Sequence, residues 1–258
     1  MVPLLRVGDK LRHVSGWQPD TKDSRDKFMA AMRNAALPKN VSLRNLCPPI
    51  RDQGRLGTCT TNSSCEAMGF LYTKDQKQDP IFSRLFSYYY SRTEEGVPAS
   101  VDSGCRIRDV MKVLATYGSP LEATWPYDES MFSVEPSLNA QNEAKNHRVL
   151  FYYRCPDLFT AKASIAQGFP VIFGFFVPAN FISDECTRTG VVKYPEPAEA
   201  FYGGHAVLAV GYDDDLGLVC FQNSWGEDWG DRGFGYMPYK MFTDGFVKDC
   251  WTIRREEM

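Results

Sequence analysis

The sequence predicts an α+β protein with a helical first half and a strand-rich second half. Between Cys59 and Tyr117 apolar residues recur at helical spacing, whereas beyond Gln167 they gather in short runs separated by glycine and acidic turns. No internal repeat or low-complexity linker interrupts the chain after Val41, so the halves are expected to be two lobes meeting at a cleft. At 258 residues and 43% hydrophobic content, the chain has ample material for burial.

Residues 1–36 are polar and turn-rich, with Gly16-Trp17-Gln18-Pro19-Asp20 and a charged run from Lys22 to Lys27 ahead of a short helical pattern, Phe28 to Ala36. They read as an extension outside the main domain, 37–258. A helix is expected to start at Cys59 behind Thr58 as N-cap, carrying Ala67, Met68, Leu71 and Tyr72 on one face. Ser83 to Arg92 reads as a second helix. Cys105 to Tyr117 reads as a third: Ile107, Val110, Met111 and Leu114 repeat at i, i+3, i+4, i+7, Asp102 or Ser103 can cap it, and Gly118 ends it. After a helix over Asp157 to Gln167, strands are expected at Val171–Val177, His205–Tyr212, Leu218–Asn223, Gly233–Met237 and Phe246–Ile253. The helical lobe is placed at about 41–125 and the β-rich lobe at about 126–258.

Charge and hydropathy narrow the function. A net charge of -3 offers no basic field for nucleic acid or anionic lipid. The longest strongly apolar stretch, Phe169 to Val177, contains Pro170 and Gly174 and is far short of the roughly 20 residues that cross a bilayer. No membrane and no nucleic-acid partner is therefore expected. Met1 to Lys10 lacks the pattern of a secretory signal, so a cytoplasmic location is expected unless the natural start was trimmed. Eight cysteines lack the paired short spacings of a zinc site, and no metal site is expected.

One cysteine stands apart. Gln53-Gly54-Arg55-Leu56-Gly57-Thr58-Cys59 sets a glycine-containing loop directly before a thiol at a helix start, where the helix dipole favours thiolate. A nucleophilic thiol needs a base, and the chain has three histidines. His13 lies in the polar extension and His147 in a charged stretch, surroundings suited to solvent. His205 opens the apolar run Gly203-Gly204-His205-Ala206-Val207, with space around its ring. The next strand ends in Asn223-Ser224-Trp225-Gly226, which brings an amide able to hold an imidazole tautomer and an indole beside the base.

Together these segments resemble the papain-like family of cysteine peptidases, which carries Gln-Gly-x-x-Gly-x-Cys, then a Gly-rich His-Ala strand, then Asn-Ser-Trp-Gly. Order and spacing agree, His205 following Cys59 by 146 residues, and the resemblance runs from about Leu37 to Ile253. It implies a two-lobe fold, helical at the N-terminal side and β-barrel-like at the C-terminal side, with the active site in the cleft between them. It also implies Cys59 as nucleophile, His205 as base, Asn223 as the group orienting that base, and Gln53 as a side-chain oxyanion donor beside the Cys59 N–H. Trp225 would shield the His205 to Asn223 contact. Gly104 would offer backbone hydrogen bonds to an extended peptide, and Gly174, Gly203 and Gly204 would shape the pocket for the second residue before the scissile bond. No cofactor is needed by this chemistry, and the expected partner is a peptide or protein substrate.

Departures from the family pattern point to a divergent branch of microbial or viral type. Leu56 stands where many relatives have a disulfide cysteine, Thr60 where an aromatic usually follows the nucleophile, and Gly204 where Asp often precedes the histidine. Two other readings keep the same residues: a specialised amidase, or a catalytically silent peptide-binding protein. A Cys59 pKa well below the roughly 8.5 of a free thiol is expected from His205 and the helix N-terminus. Trp17 needs a docking surface that a polar arm cannot supply for itself, so residues 1–36 are expected either to act as a short intramolecular inhibitory segment over the cleft or to pack against the back of a lobe and stabilise it, with Pro19 and the charged run Lys22 to Lys27 keeping the arm extended and accessible.

Overall fold

A computed structural model describes residues 4–31, 36–76 and 80–254. The chain opens with a small hairpin of β1 (Leu5–Val7) and β2 (Lys10–Arg12). A short strand, β3 (Asn40–Ser42), leads to three helices: α1 (Cys59–Gln76), α2 (Arg84–Glu94) and α3 (Ile107–Thr116). The remainder is α4 (Leu138–Ala144), β4 (Phe151–Cys155), α5 (Leu158–Ala166), β5 (Val171–Pro178), α6 (Asp184–Thr189), β6 (Phe201–Asp213), β7 (Leu218–Gln222), β8 (Phe234–Pro238), α7 (Tyr239–Thr243) and β9 (Val247–Arg254).

The second-half strands form one antiparallel sheet in the order β4-β9-β5-β6-β7-β8, with β3 paired to β6. Residues 40–42 thus pair with the sheet before the chain enters the helices. The register sets Phe175 opposite His205 and Gly174 opposite Ala206. On the inner face Phe173, Val207 and Phe221 share a buried core with Phe70 of α1 and Val110, Met111 and Leu114 of α3. Burying a side chain of this size contributes about 1.5–3 kcal/mol.

α1 explains how a polar helix start can be buried. Thr60, Thr61, Asn62, Ser63 and Ser64 are all inaccessible, and their short side chains return hydrogen bonds to the chain itself: Ser63 Oγ to Cys59 O at 3.0 Å and Ser64 Oγ to Thr60 O at 2.6 Å. No stripe of apolar residues marks this half of the helix, because both its faces are covered. α2 begins as expected, Ser83 Oγ accepting from Phe86 N at 3.1 Å.

Three expectations are corrected. Phe28–Ala31 and Ala36 are not helical; Phe28 bridges Arg154 instead, Met29 N donating to Arg154 O at 2.9 Å, and residues 32–35 lie outside the described residues. Neither Asp102 nor Ser103 caps α3, whose N-cap is Arg106 without a side-chain bond; Asp102 is committed to Gly57 N at 3.0 Å and to the Tyr88 hydroxyl. The charged run does not hold the arm out in solvent. Asp20, with a fully buried side chain, and Asp26 at 8% exposure converge with Asp249 on Arg154, and Trp251 Nε1 donates to Asp20 at 2.8 Å.

Arg154 stands among three carboxylates, of which Asp26 also pairs with Arg108 at 3.0 Å while Asp20 and Asp249 pair with Arg154 alone among the described residues. Burial, with the neighbouring Asp249 charge, raises Asp20 to about 6. A carboxyl raised above its unfolded value favours the fold while protonated and opposes it as pH rises through 6. Arg154→Met should therefore cost about 3–5 kcal/mol near pH 7.5, leaving Asp20 and Asp249 without their cation, and distinctly less near pH 4.5, where Asp20 carries a proton. Urea unfolding at the two pH values, both forms compared, would reveal the difference; an equal loss at both would mean that Arg154 acts through packing alone.

Candidate active site

The loop from Gln53 to Thr58 is fixed at several points. Gln53 N donates to Ser224 O at 2.9 Å, the Tyr127 hydroxyl donates to Gln53 O at 2.8 Å, and Asp102 receives Gly57 N. Cys59 then opens α1, and the N–H groups of Ala206, Thr60 and Cys59 itself are directed at its sulfur. Such a nest of donors favours negative charge. Gln53 Oε1 accepts from Ser224 Oγ at 2.7 Å and its amide nitrogen donates to Leu56 O at 3.0 Å, which leaves a second N–H on that nitrogen.

His205 sits near the start of β6, one residue before the Ala206 that points its N–H at the sulfur. Its Nε2 lies 2.8 Å from Asn223 Oδ1, while Nδ1 is buried without a hydrogen-bond partner. Asn223 Oδ1 also accepts from Ser224 N at 2.9 Å, which fixes the amide orientation and makes Nε2 the protonated nitrogen of the neutral ring. Trp225 lies 4.9 Å from the imidazole, centroid to centroid, and is itself enclosed by Phe181 and Trp229. Gln53, Cys59, His205, Asn223 and Trp225 are all inaccessible to solvent.

What buries them on the open side is the N-terminal arm. Trp17 N donates to Gly204 O at 3.0 Å, Cys105 N donates to Gly16 O at 3.0 Å, and Gln18 N donates to Cys105 O at 3.2 Å. Gly16 lies over the nucleophile: a Cβ placed there would be 2.5 Å from Gly57 O and 2.9 Å from Cys59 Sγ. The Trp17 indole packs on the bare backbone of Gly174 and Gly204, edge to Phe176 at 5.4 Å, and Gly203 faces Ser15. The four glycines singled out in the sequence thus all border the arm. Gly104 packs beneath Gly16, but the bonds to the extended segment come from Cys105, since the Gly104 N–H turns to the Tyr88 hydroxyl at 3.0 Å.

Arg12 and His13 extend the arm past the other side of Cys59. Arg12 pairs with Asp52 and donates to Trp225 O. His13 is buried, 3.9 Å from Asp102, and not in solvent as its polar neighbours suggested. Sequence reading missed both, together with Cys105. The available signal was Gly16 directly before Trp17, a pair suited to close backbone approach beside a large anchor.

Closure sets the electrostatics. Burial pushes the Cys59 thiol up to about 12 despite the N–H groups around it, and lowers His205 to about 4 despite the Asn223 contact. With the arm in place the pair is therefore a neutral thiol and a neutral imidazole, the reverse of the lowered thiol pKa expected from the sequence.

A family model described as papain family cysteine protease matches residues 37–250. An uncharacterized peptidase C1-like protein of Acanthamoeba polyphaga mimivirus is 38% identical over 79% of this chain and 68% of its own. Cysteine proteinase 1 of Entamoeba histolytica is 25% identical over 84% of this chain and 68% of its own. Among solved structures, xylellain, a cysteine protease from Xylella fastidiosa, superposes with a TM-score of 0.88 at 34% identity, covering 98% of this chain and 99% of that one.

The covered sulfur has a measurable consequence. Full-length protein should be alkylated slowly at Cys59 by iodoacetamide near pH 7, and Gly16→Val, which cannot seat against Gly57 and Cys59, should raise that rate by about tenfold or more as the thiolate becomes accessible. Peptide mapping by mass spectrometry reads the site directly. Equal rates in the two proteins would show that the arm does not control access.

Proposed function

The chain belongs to the papain family of cysteine proteases, hydrolases by chemistry, and we propose that it is an endopeptidase acting through Cys59, His205, Asn223 and Gln53 and held latent by its own N-terminal arm. The observation that carries the catalytic part is the pairing of His205: one ring nitrogen is held by Asn223 and the other is left without a partner beside the start of α1. That arrangement suits a base awaiting the Cys59 proton.

When a peptide replaces the arm, the Cys59 thiol gives its proton to His205 Nδ1 and the sulfur attacks the scissile carbonyl carbon. The carbonyl oxygen takes up the negative charge and is held by the Cys59 N–H and the second amide N–H of Gln53. The C–N bond breaks as His205 returns its proton to the leaving amine, leaving a thioester on Cys59. Water then loses a proton to His205 and attacks the thioester; the acid product leaves and the thiol is restored. Asn223 keeps the ring in register throughout, and Trp225 keeps water from the Asn223 bond.

Latency rests on the arm's bonds to both walls of the cleft. Gly16, the arm residue over Cys59, has its carbonyl oxygen taken by Cys105 N, which ties it to the wall of the cleft and away from the oxyanion donors. The arm therefore blocks the site without being presented for cleavage. The indole in the Gly174 and Gly204 recess supports a preference for large apolar side chains, aromatic ones included, at the second residue before the cut.

Two measurements on peptide substrates test this. Gly16→Val should turn over faster than the unaltered chain at equal active-site concentration. In that opened background Gln53→Ala should lower kcat about 10²-fold with little change in KM, since its donor serves the transition state. An unchanged kcat in a folded Gln53→Ala protein would remove Gln53 from the oxyanion role.

A further inference from the structure

The arm crosses the cleft with a cation seated opposite the indole. On one side of Cys59 lies Trp17 in its glycine-walled recess; on the other, the Arg12 guanidinium is 3% exposed and spans the Asp52 carboxylate and the Trp225 carbonyl oxygen. Lys10 adds a second cation, 3.3 Å from Asp52 and 2.9 Å from Asp228. Among the described residues these arm cations supply every ion pair that Asp52 and Asp228 make. With the arm displaced, Asp52 keeps only the Gly54 N–H, at 2.9 Å, on its carboxylate.

Asp52 belongs to the body of the enzyme and is rigidly set. It bridges Trp225 across the chain, its neighbour Gln53 is pinned to Ser224, and Gly226 N donates to Arg51 O at 3.0 Å. Its carboxylate and the Trp225 carbonyl present two acceptors to the separate nitrogens of one guanidinium, a geometry suited to arginine and less so to a point-charge ammonium.

We propose that Asp52, with the Trp225 carbonyl and Asp228, forms a subsite that selects a basic side chain, arginine above all, on the leaving-group side of the scissile bond. This rests on the peptidase reading above, in which the Trp17 recess takes the side before the bond. The arm then occupies two specificity sites at once, an apolar one and a cationic one, and its sequence mimics the substrate's side-chain chemistry on both sides of Cys59.

The test uses full-length protein carrying Gly16→Val, Lys10→Ala and Arg12→Ala, which opens the cleft and empties the subsite. Internally quenched peptides, identical except for Arg, Ala or Glu at the first or second residue after the cut, are compared by kcat/KM, with the cleaved bond located by mass spectrometry. Arg should exceed Ala by about tenfold at one of these positions, the size expected of one hydrogen-bonded charge pair, and Glu should fall below Ala. Adding Asp52→Lys should invert the order of Arg and Glu, an outcome that misfolding cannot produce. A flat series, or an Arg preference that survives Asp52→Lys, overturns the subsite while leaving the peptidase intact. If the opened protein cuts none of the peptides, the peptidase reading falls and the subsite with it.

Discussion

Close approach of bare backbone is the constraint on which the seating of the arm over Cys59 depends. Gly16 on the arm meets Gly57 and Gly104 on the helical side, and Gly174 and Gly204 on the sheet side accept Trp17. A side chain at any of these positions would push the arm out of hydrogen-bonding range of Cys105 or Gly204. The same emptiness gives an extended peptide room to lie beside Cys59. In the function proposed, arm and substrate compete for one surface, and whatever tightens the first narrows access for the second.

Rigidity on either side of that surface comes from different sources. Cys59 is held by α1, whose buried hydroxyl side chains bond back to its own carbonyls. His205 is held by a sheet in which β5 pairs with β6 from Phe201 to Ala209, with Phe175 opposite His205, and β7 pairs with it from Leu208 to Asp213. Asn223 reaches the imidazole because β7 ends with Gln222 opposite Leu208, three residues beyond His205, where the turn brings Ser224 N to the same amide oxygen. Cys59 and Asn223 thus sit at the ends of elements whose middles are core.

Residues whose chemistry is rare in the chain were legible in the sequence. One histidine in an apolar glycine-flanked run, and one cysteine behind a glycine loop, stand out because neither environment suits a solvent-exposed group. Strands and helices with a clear period were legible for the same reason. What stayed hidden depended on long-range pairing. Asp102 looks like a cap until Gly57 and Tyr88 claim it, Phe28 and Met29 look like a helix start until Arg154 O takes the Met29 N–H, and Asp20 and Asp26 look solvated until Arg154 gathers them. In each case local propensity is overruled by a partner distant in the sequence: Gly57 lies 45 residues from Asp102, and Arg154 lies 134 residues from Asp20.

The arm's two ends respond to pH in opposite senses. Near the nucleophile, burial lowers the His13 pKa against the pull of Asp102, and lowers His205 to about 4. These groups dock neutral, so their contribution is complete above the ordinary histidine value and is lost as pH falls toward the folded one. At the far end Asp20, raised to about 6, docks best protonated, and its contribution is lost as pH rises through that value. Acid therefore opposes docking of the segment over Cys59 while easing the burial of Asp20 at the far anchor, and base does the reverse. Because the two anchors are joined by a few residues from Trp17 to Asp20, loosening one leaves the other to hold the arm nearby. Opening the cleft by acid alone then frees His13 and Gly16 but keeps the arm tethered, positioned to close again when the pH returns.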